Sequence, residues 1–89
     1  MKVIKRNGEK VPFEKNKIAR AIEKAYLEVF PNRQEEALKC GKRIANDIYH
    51  GYTNPLSVEE IQNKVERDLI LHAPADVARA YIRYRYKRE

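Results

Sequence analysis

From about residue 15 onward, apolar positions recur every three to four residues, the period of helices with one buried face. Four helices are predicted. The first, from about Lys15 to Phe30, places Ile18, Ala21, Ile22, Ala25, Tyr26 and Val29 on one stripe and stops at Pro31-Asn32. Asn16 offers a cap, whereas Glu14 is a poorer capping residue. The second, from about Arg33 to His50, carries Ala37, Cys40, Gly41, Ile44, Ala45 and Ile48 at helical spacing, with Gly51 as a stop. Gly41 costs roughly 1 kcal/mol in helix propensity, which points to a close helix contact there. Ser57 and Glu60 form an S-x-x-E capping box opening a third helix, with Val58, Ile61, Val65 and Leu69 inward. Pro74 fits the first turn of a fourth, with Val77, Ala80, Tyr81 and Tyr84 inward. Residues 52–56 read as a loop or one short extended piece.

Before residue 15 the pattern is that of a β-hairpin. Asn7-Gly8 is a strong two-residue turn signal, because a type I′ turn needs positive φ at both central positions. That turn sets Arg6 against Glu9 and Ile4 against Val11, with Phe13 on the same, buried side. Val3, Lys5 and Lys10 then fall on the opposite side. Pro12 suits an edge strand. An isolated hairpin is marginal in water and must pack on helices. The expected fold is α+β: a four-helix bundle capped by an N-terminal β-hairpin or small sheet, with residues 1–89 forming a single domain.

Charge sharpens this picture. Lys and Arg number 19 against 13 Asp and Glu, a net charge of +6. The excess sits at the two ends: Lys2, Lys5, Arg6, Lys10, Lys15 and Lys17 near the start, and Arg79, Arg83, Arg85, Lys87 and Arg88 near the finish. Two terminal clusters suit one shared anionic partner better than a general solubility device. With one cysteine, Cys40, there is no disulfide framework or thiolate metal site, and His50 and His72 have no metal-site spacing. Cys40 reads as an inert packing residue. No apolar run approaches a membrane span and no signal peptide is visible, so a cytoplasmic protein is expected.

Catalytic motifs are lacking: there is no G-x-S-x-G, H-E-x-x-H, C-x-x-C or G-x-x-x-x-G-K-[ST]. The pairs Glu35-Glu36 and Glu59-Glu60 lie in helices, where neighbouring residues point in different directions. What remains is a basic hairpin delivered onto the N-terminus of a helix that itself begins with cations. Helix N-terminal amides attract phosphate, and Lys5, Arg6 and Lys17 add charge-assisted contacts. Physics alone leaves the alternative that Lys5 and Arg6 are merely exposed hairpin residues.

The run Lys5-Arg6-Asn7-Gly8 through Phe13, with Lys17-Ile18 and Ala21-Ile22, resembles the N-terminal signature of the ATP-cone family. So do Val58-Glu59-Glu60-Ile61-Gln62 with Val65-Glu66, and the closing stretch from Ala78 to Arg85. The resemblance covers essentially the whole chain. ATP-cones are non-catalytic regulatory domains of ribonucleotide reductases and occur in the transcriptional repressor of reductase genes. The resemblance implies four helices covered by a small three-stranded sheet, binding ATP or dATP, with Mg²⁺, as an allosteric signal. It implies that Val3, Lys5, Arg6 and Asn7 line the nucleotide, that Lys17 meets the phosphates from the first helix, and that Lys87 and Arg88 do so from the last. Tyr81 or Tyr84 packs near the base or in the core. The family often has Asp at the position of Asn7, and Asn removes that carboxylate.

The implied partners are an adenine nucleotide and the catalytic domain or subunit of a ribonucleotide reductase, with a nucleotide-dependent oligomer as a further expectation. The rival reading is a nucleic-acid-binding module, in which the C-terminal cations interleave with Tyr81, Tyr84 and Tyr86 on one phosphate-gripping helix. A third is a purely structural or oligomerisation domain. Ending within a charged helix suggests an excised N-terminal regulatory domain, or else a stand-alone cone.

Overall fold

The computed structural model describes residues 2–52 and 55–87. Its elements run β1 (Lys2–Ile4), β2 (Lys10–Pro12), α1 (Lys15–Val29), α2 (Gln34–Gly51), β3 (Leu56–Ser57), α3 (Val58–His72) and α4 (Ala75–Lys87). The class is α+β: four helices and a mixed three-stranded sheet of order β2-β1-β3. β1 pairs antiparallel with β2 and parallel with β3, Val3 opposite Leu56 and Ile4 opposite Ser57. Residues 53–54 of the expected loop lie outside the described residues, and its end forms β3.

The hairpin register differs by one residue from the expected one. Lys2 faces Pro12, Val3 faces Val11 and Ile4 faces Lys10. The Lys5 N–H donates to the Glu9 carbonyl at 2.8 Å, and the Gly8 N–H donates to the Lys5 carbonyl at 2.9 Å. The loop is therefore three residues, Arg6-Asn7-Gly8, with only Gly8 left-handed, at φ 86°. A type I′ turn would also need positive φ at Asn7. Instead, the Asn7 Oδ1 accepts the Glu9 N–H at 3.0 Å and stabilises the longer loop. A one-residue slip exchanges the faces of a strand. Val3 consequently turns inward with Val11 and Phe13, packing against the core, while Ile4 goes to the other face with Lys10.

The helices follow their apolar stripes. α1 packs most extensively on α2 and next on α4. The innermost side chains are Ile22 of α1, Ile44 and Ile48 of α2, Val65 and Leu69 of α3, and Val77 of α4. Gly41 lies where a Cβ would stand 2.5 Å from the Ala19 carbonyl oxygen, so the two helices meet backbone to backbone. Cys40 is half-buried beside this contact, and burial pushes its thiol pKa up.

The helix ends differ in quality. Glu14 and Arg33 occupy the N-caps of α1 and α2 without a side-chain cap hydrogen bond, and Asn16 lies within α1. Gly51 is the last residue of α2 rather than a left-handed stop; the chain leaves the helix at extended Tyr52. Pro74 lies just before α4 and its carbonyl accepts the Val77 N–H. α3 has the expected capping box: Ser57 Oγ accepts the Glu60 N–H at 3.0 Å, and Glu60 Oε1 accepts the Ser57 N–H at 3.1 Å. Ser57 is thus both the end of β3 and the cap of α3.

Candidate nucleotide site

The inward turn of Val3 opens a cavity of about 640 Å³ between the hairpin and helices α1, α3 and α4. Val3, Val11 and Phe13 form its hairpin side, and Val58 and Ile61 its apolar α3 side. From α1 come Ile18 and Ala21, flanked by Lys17, Arg20 and Lys24. Gln62, Tyr81, Tyr84 and Arg85 complete the lining. An apolar floor with cations along one wall suits a ligand with a flat organic part and a multiply charged tail.

Most of these cations have carboxylate neighbours. Arg6 Nε stands 3.0 Å from Glu59 Oε1, bridging the hairpin loop and the first turn of α3. Lys17 Nζ stands 3.3 Å from Glu14 Oε2. A hydrogen bond from its own backbone N–H, and then the Arg6 guanidinium, hold the Glu59 carboxyl below its ordinary range against partial burial. Arg85 is buried, its Nη1 donating to Asn63 Oδ1 at 2.8 Å and to Glu66 Oε1 at 2.9 Å. Burial pushes the Tyr81 phenol up to about 12; Arg85 opposes this and Glu66 adds to it. The Gln62 Oε1 beside the cavity is buried with no hydrogen-bond partner among the described residues. An orphaned acceptor of this kind costs about 1–3 kcal/mol.

Of the residues singled out in the sequence, Val3, Arg6 and Lys17 line the large cavity. Lys5 and Asn7 do not; with Arg6 and Val58 they line an adjoining hollow of about 390 Å³. The Asn7 carbonyl is already engaged in the loop. Lys87 ends α4, exposed and outside both hollows, and Arg88 lies outside the described residues. Sequence reasoning passed over Arg20 and Lys24, gave Gln62 no role in the site, and counted Arg85 only as one of the C-terminal cations. A signal existed for the first two: with Lys17 they sit at i, i+3 and i+7, beside the Ile18–Ala21 stripe.

Other arrangements are less concentrated. On α4, Arg79 pairs with Asp76 at 2.8 Å, Arg83 lies 3.7 Å from Glu28, and Arg85 is buried. Tyr81 is buried and Tyr84 half-buried, so the interleaved row does not present one exposed basic and aromatic face. Among the described residues no three His, Cys, Asp or Glu gather to hold a metal ion. No helix among the described residues is long and apolar enough to cross a membrane.

Comparison with known proteins points the same way. The chain is 34% identical over 87 residues to the anaerobic ribonucleoside-triphosphate reductase of Haemophilus influenzae, covering 98% of this chain and 12% of that protein. It is 41% identical over 92 residues to the vitamin B12-dependent ribonucleoside-diphosphate reductase of Thermoplasma acidophilum, covering 97% and 12%. Against the ribonucleoside-diphosphate reductase subunit alpha of Chlamydia trachomatis the figures are 33% over 100 residues, 98% and 9%. The chain therefore spans only about an eighth or less of these relatives. The profile of the ATP cone domain matches residues 1–89, the whole chain, which accordingly belongs to the ATP cone family.

Proposed function

We propose that this chain is a non-catalytic regulatory module that binds ATP or dATP and reports its occupancy to a ribonucleotide reductase polypeptide. The cavity between hairpin and helices carries this reading, since it combines apolar walls with a row of cations. The base and ribose lie against the apolar walls, where the orphaned Gln62 Oε1 offers an acceptor to a polar edge. Arg6 and Lys17 meet the phosphates; Lys5 and Asn7 support them from the adjoining hollow, and Lys87 approaches from the end of α4. Mg²⁺ comes with the nucleotide, held by its phosphates. In this arrangement the four helices form a bundle and the hairpin acts as its cover.

Regulation is a shift between two packings of the hairpin. A ligand moves such an equilibrium only by its difference in affinity for the two states. Arg6 supplies a physical basis for that difference, because it is shared between a carboxylate of α3 and the cavity. Catalysis and any change of assembly state belong to the reductase polypeptide. Calorimetric titration with Mg²⁺-ATP, Mg²⁺-dATP and Mg²⁺-GTP tests the reading. Saturable heats with the adenine nucleotides, far weaker heats with GTP, and about tenfold weaker ATP binding by Lys17→Ala are expected. Flat titrations with both adenine nucleotides would overturn it.

A further inference from the structure

We propose that Arg20 and Lys24 form the subsite for the outer part of the triphosphate, so that the cavity selects its ligand by phosphate count. The inference rests on the nucleotide-binding reading above and deepens it. Arg6, Lys17 and Arg85 all line the cavity but each already has a carboxylate beside it, Glu59, Glu14 and Glu66 respectively. Arg20 and Lys24 line the same cavity, and among the described residues neither side chain forms an ion pair or hydrogen bond. They are four residues apart on α1, where like charges become neighbours and repel. An anion between them removes that repulsion and gains two charge-assisted contacts, one to a guanidinium able to grip two oxygens.

The geometry also gives a direction. At about 1.5 Å of helix rise per residue, Lys17 to Lys24 covers about 10 Å of the cavity wall. A chain of phosphates lying along α1 meets a partly neutralised cation at Lys17 and then two uncompensated ones. A monophosphate anchored at the Lys17 end makes only the first contact. The paired cations orient the ligand, and the unpaired ones supply the charge that distinguishes a triphosphate.

The test is a titration of the wild-type chain and the Arg20→Gln/Lys24→Gln double variant with ATP, AMP and inorganic tripolyphosphate. A Lys39→Gln/Lys42→Gln variant, altered on exposed positions of α2 away from the cavity, controls for net charge. The expected result is about a tenfold or greater loss of ATP and tripolyphosphate affinity in the first variant alone, with AMP binding changed less than about twofold. Wild-type-like ATP binding by the double variant, or an equal loss in the α2 control, overturns the subsite and leaves the nucleotide reading standing. Tripolyphosphate binding that depends on Arg20 and Lys24 without any adenine preference upholds the subsite and overturns that reading. A wild-type chain that binds neither ATP nor tripolyphosphate overturns both.

Discussion

Arg85 is the residue whose environment departs most from what its chemistry suggests in isolation. Its guanidinium is buried among α3 groups, bonded to Glu66 and Asn63, with the Tyr81 ring one turn away on α4. Removing one member of such a pair leaves an uncompensated charge in a poorly solvated place, at about 3–5 kcal/mol. Arg85→Met is therefore expected to lower the stability read from urea unfolding by that amount. Arg85→Met combined with Glu66→Leu should recover much of the loss, because the stranded carboxylate goes as well. Nothing in the linear pattern identified this pair: the partners lie 19 and 22 residues away on another helix. Arg85 also sits in a basic run that reads as a grip on an anionic partner rather than as a buried pair. Arg20 and Lys24 are the converse case: their spacing with Lys17 was there to read, but exposed cations on a helix look alike until packing shows which of them border a cavity.

At the level of elements, the four helices were legible because each carries a stripe long enough to declare its period. A close helix contact at Gly41 was legible from that glycine alone, and the structure shows its partner to be α1. Gly41→Ala places a methyl carbon 2.5 Å from the backbone oxygen of Ala19, which no side-chain rotation can relieve. Alanine's propensity gain of about 1 kcal/mol is thus outweighed, and a net loss of about 1–3 kcal/mol is expected in thermal or urea unfolding. The strands were less legible. Asn7-Gly8 serves a two-residue or a three-residue loop, and only the dihedral angle of Asn7 and its bond to Glu9 decide between them. That choice turned Val3 rather than Ile4 toward the core and so determined which residues face the cavity. β3, at two residues, is too short to show any period.

For the whole molecule, 89 residues with a net charge of +6 fold around one core while leaving a cationic cavity beside it. A ligand that binds only the folded state adds about 2.7 kcal/mol when present at about 100 times its Kd. For a domain this small that corresponds to a rise in Tm of roughly 10–20 °C. Thermal unfolding with saturating ATP should show that rise, and it should shrink as salt screens the cations. The mixed sheet adds a mechanical consequence. Ser57 ends the strand paired to β1 and caps α3 with no residue between, and Glu59 just beyond it grips Arg6 at the hairpin tip. The ribbon is therefore tethered at two points to the same helical turn, once by strand pairing and once by a surface ion pair. Lifting it parts both tethers together, and the two lie within the span of three residues.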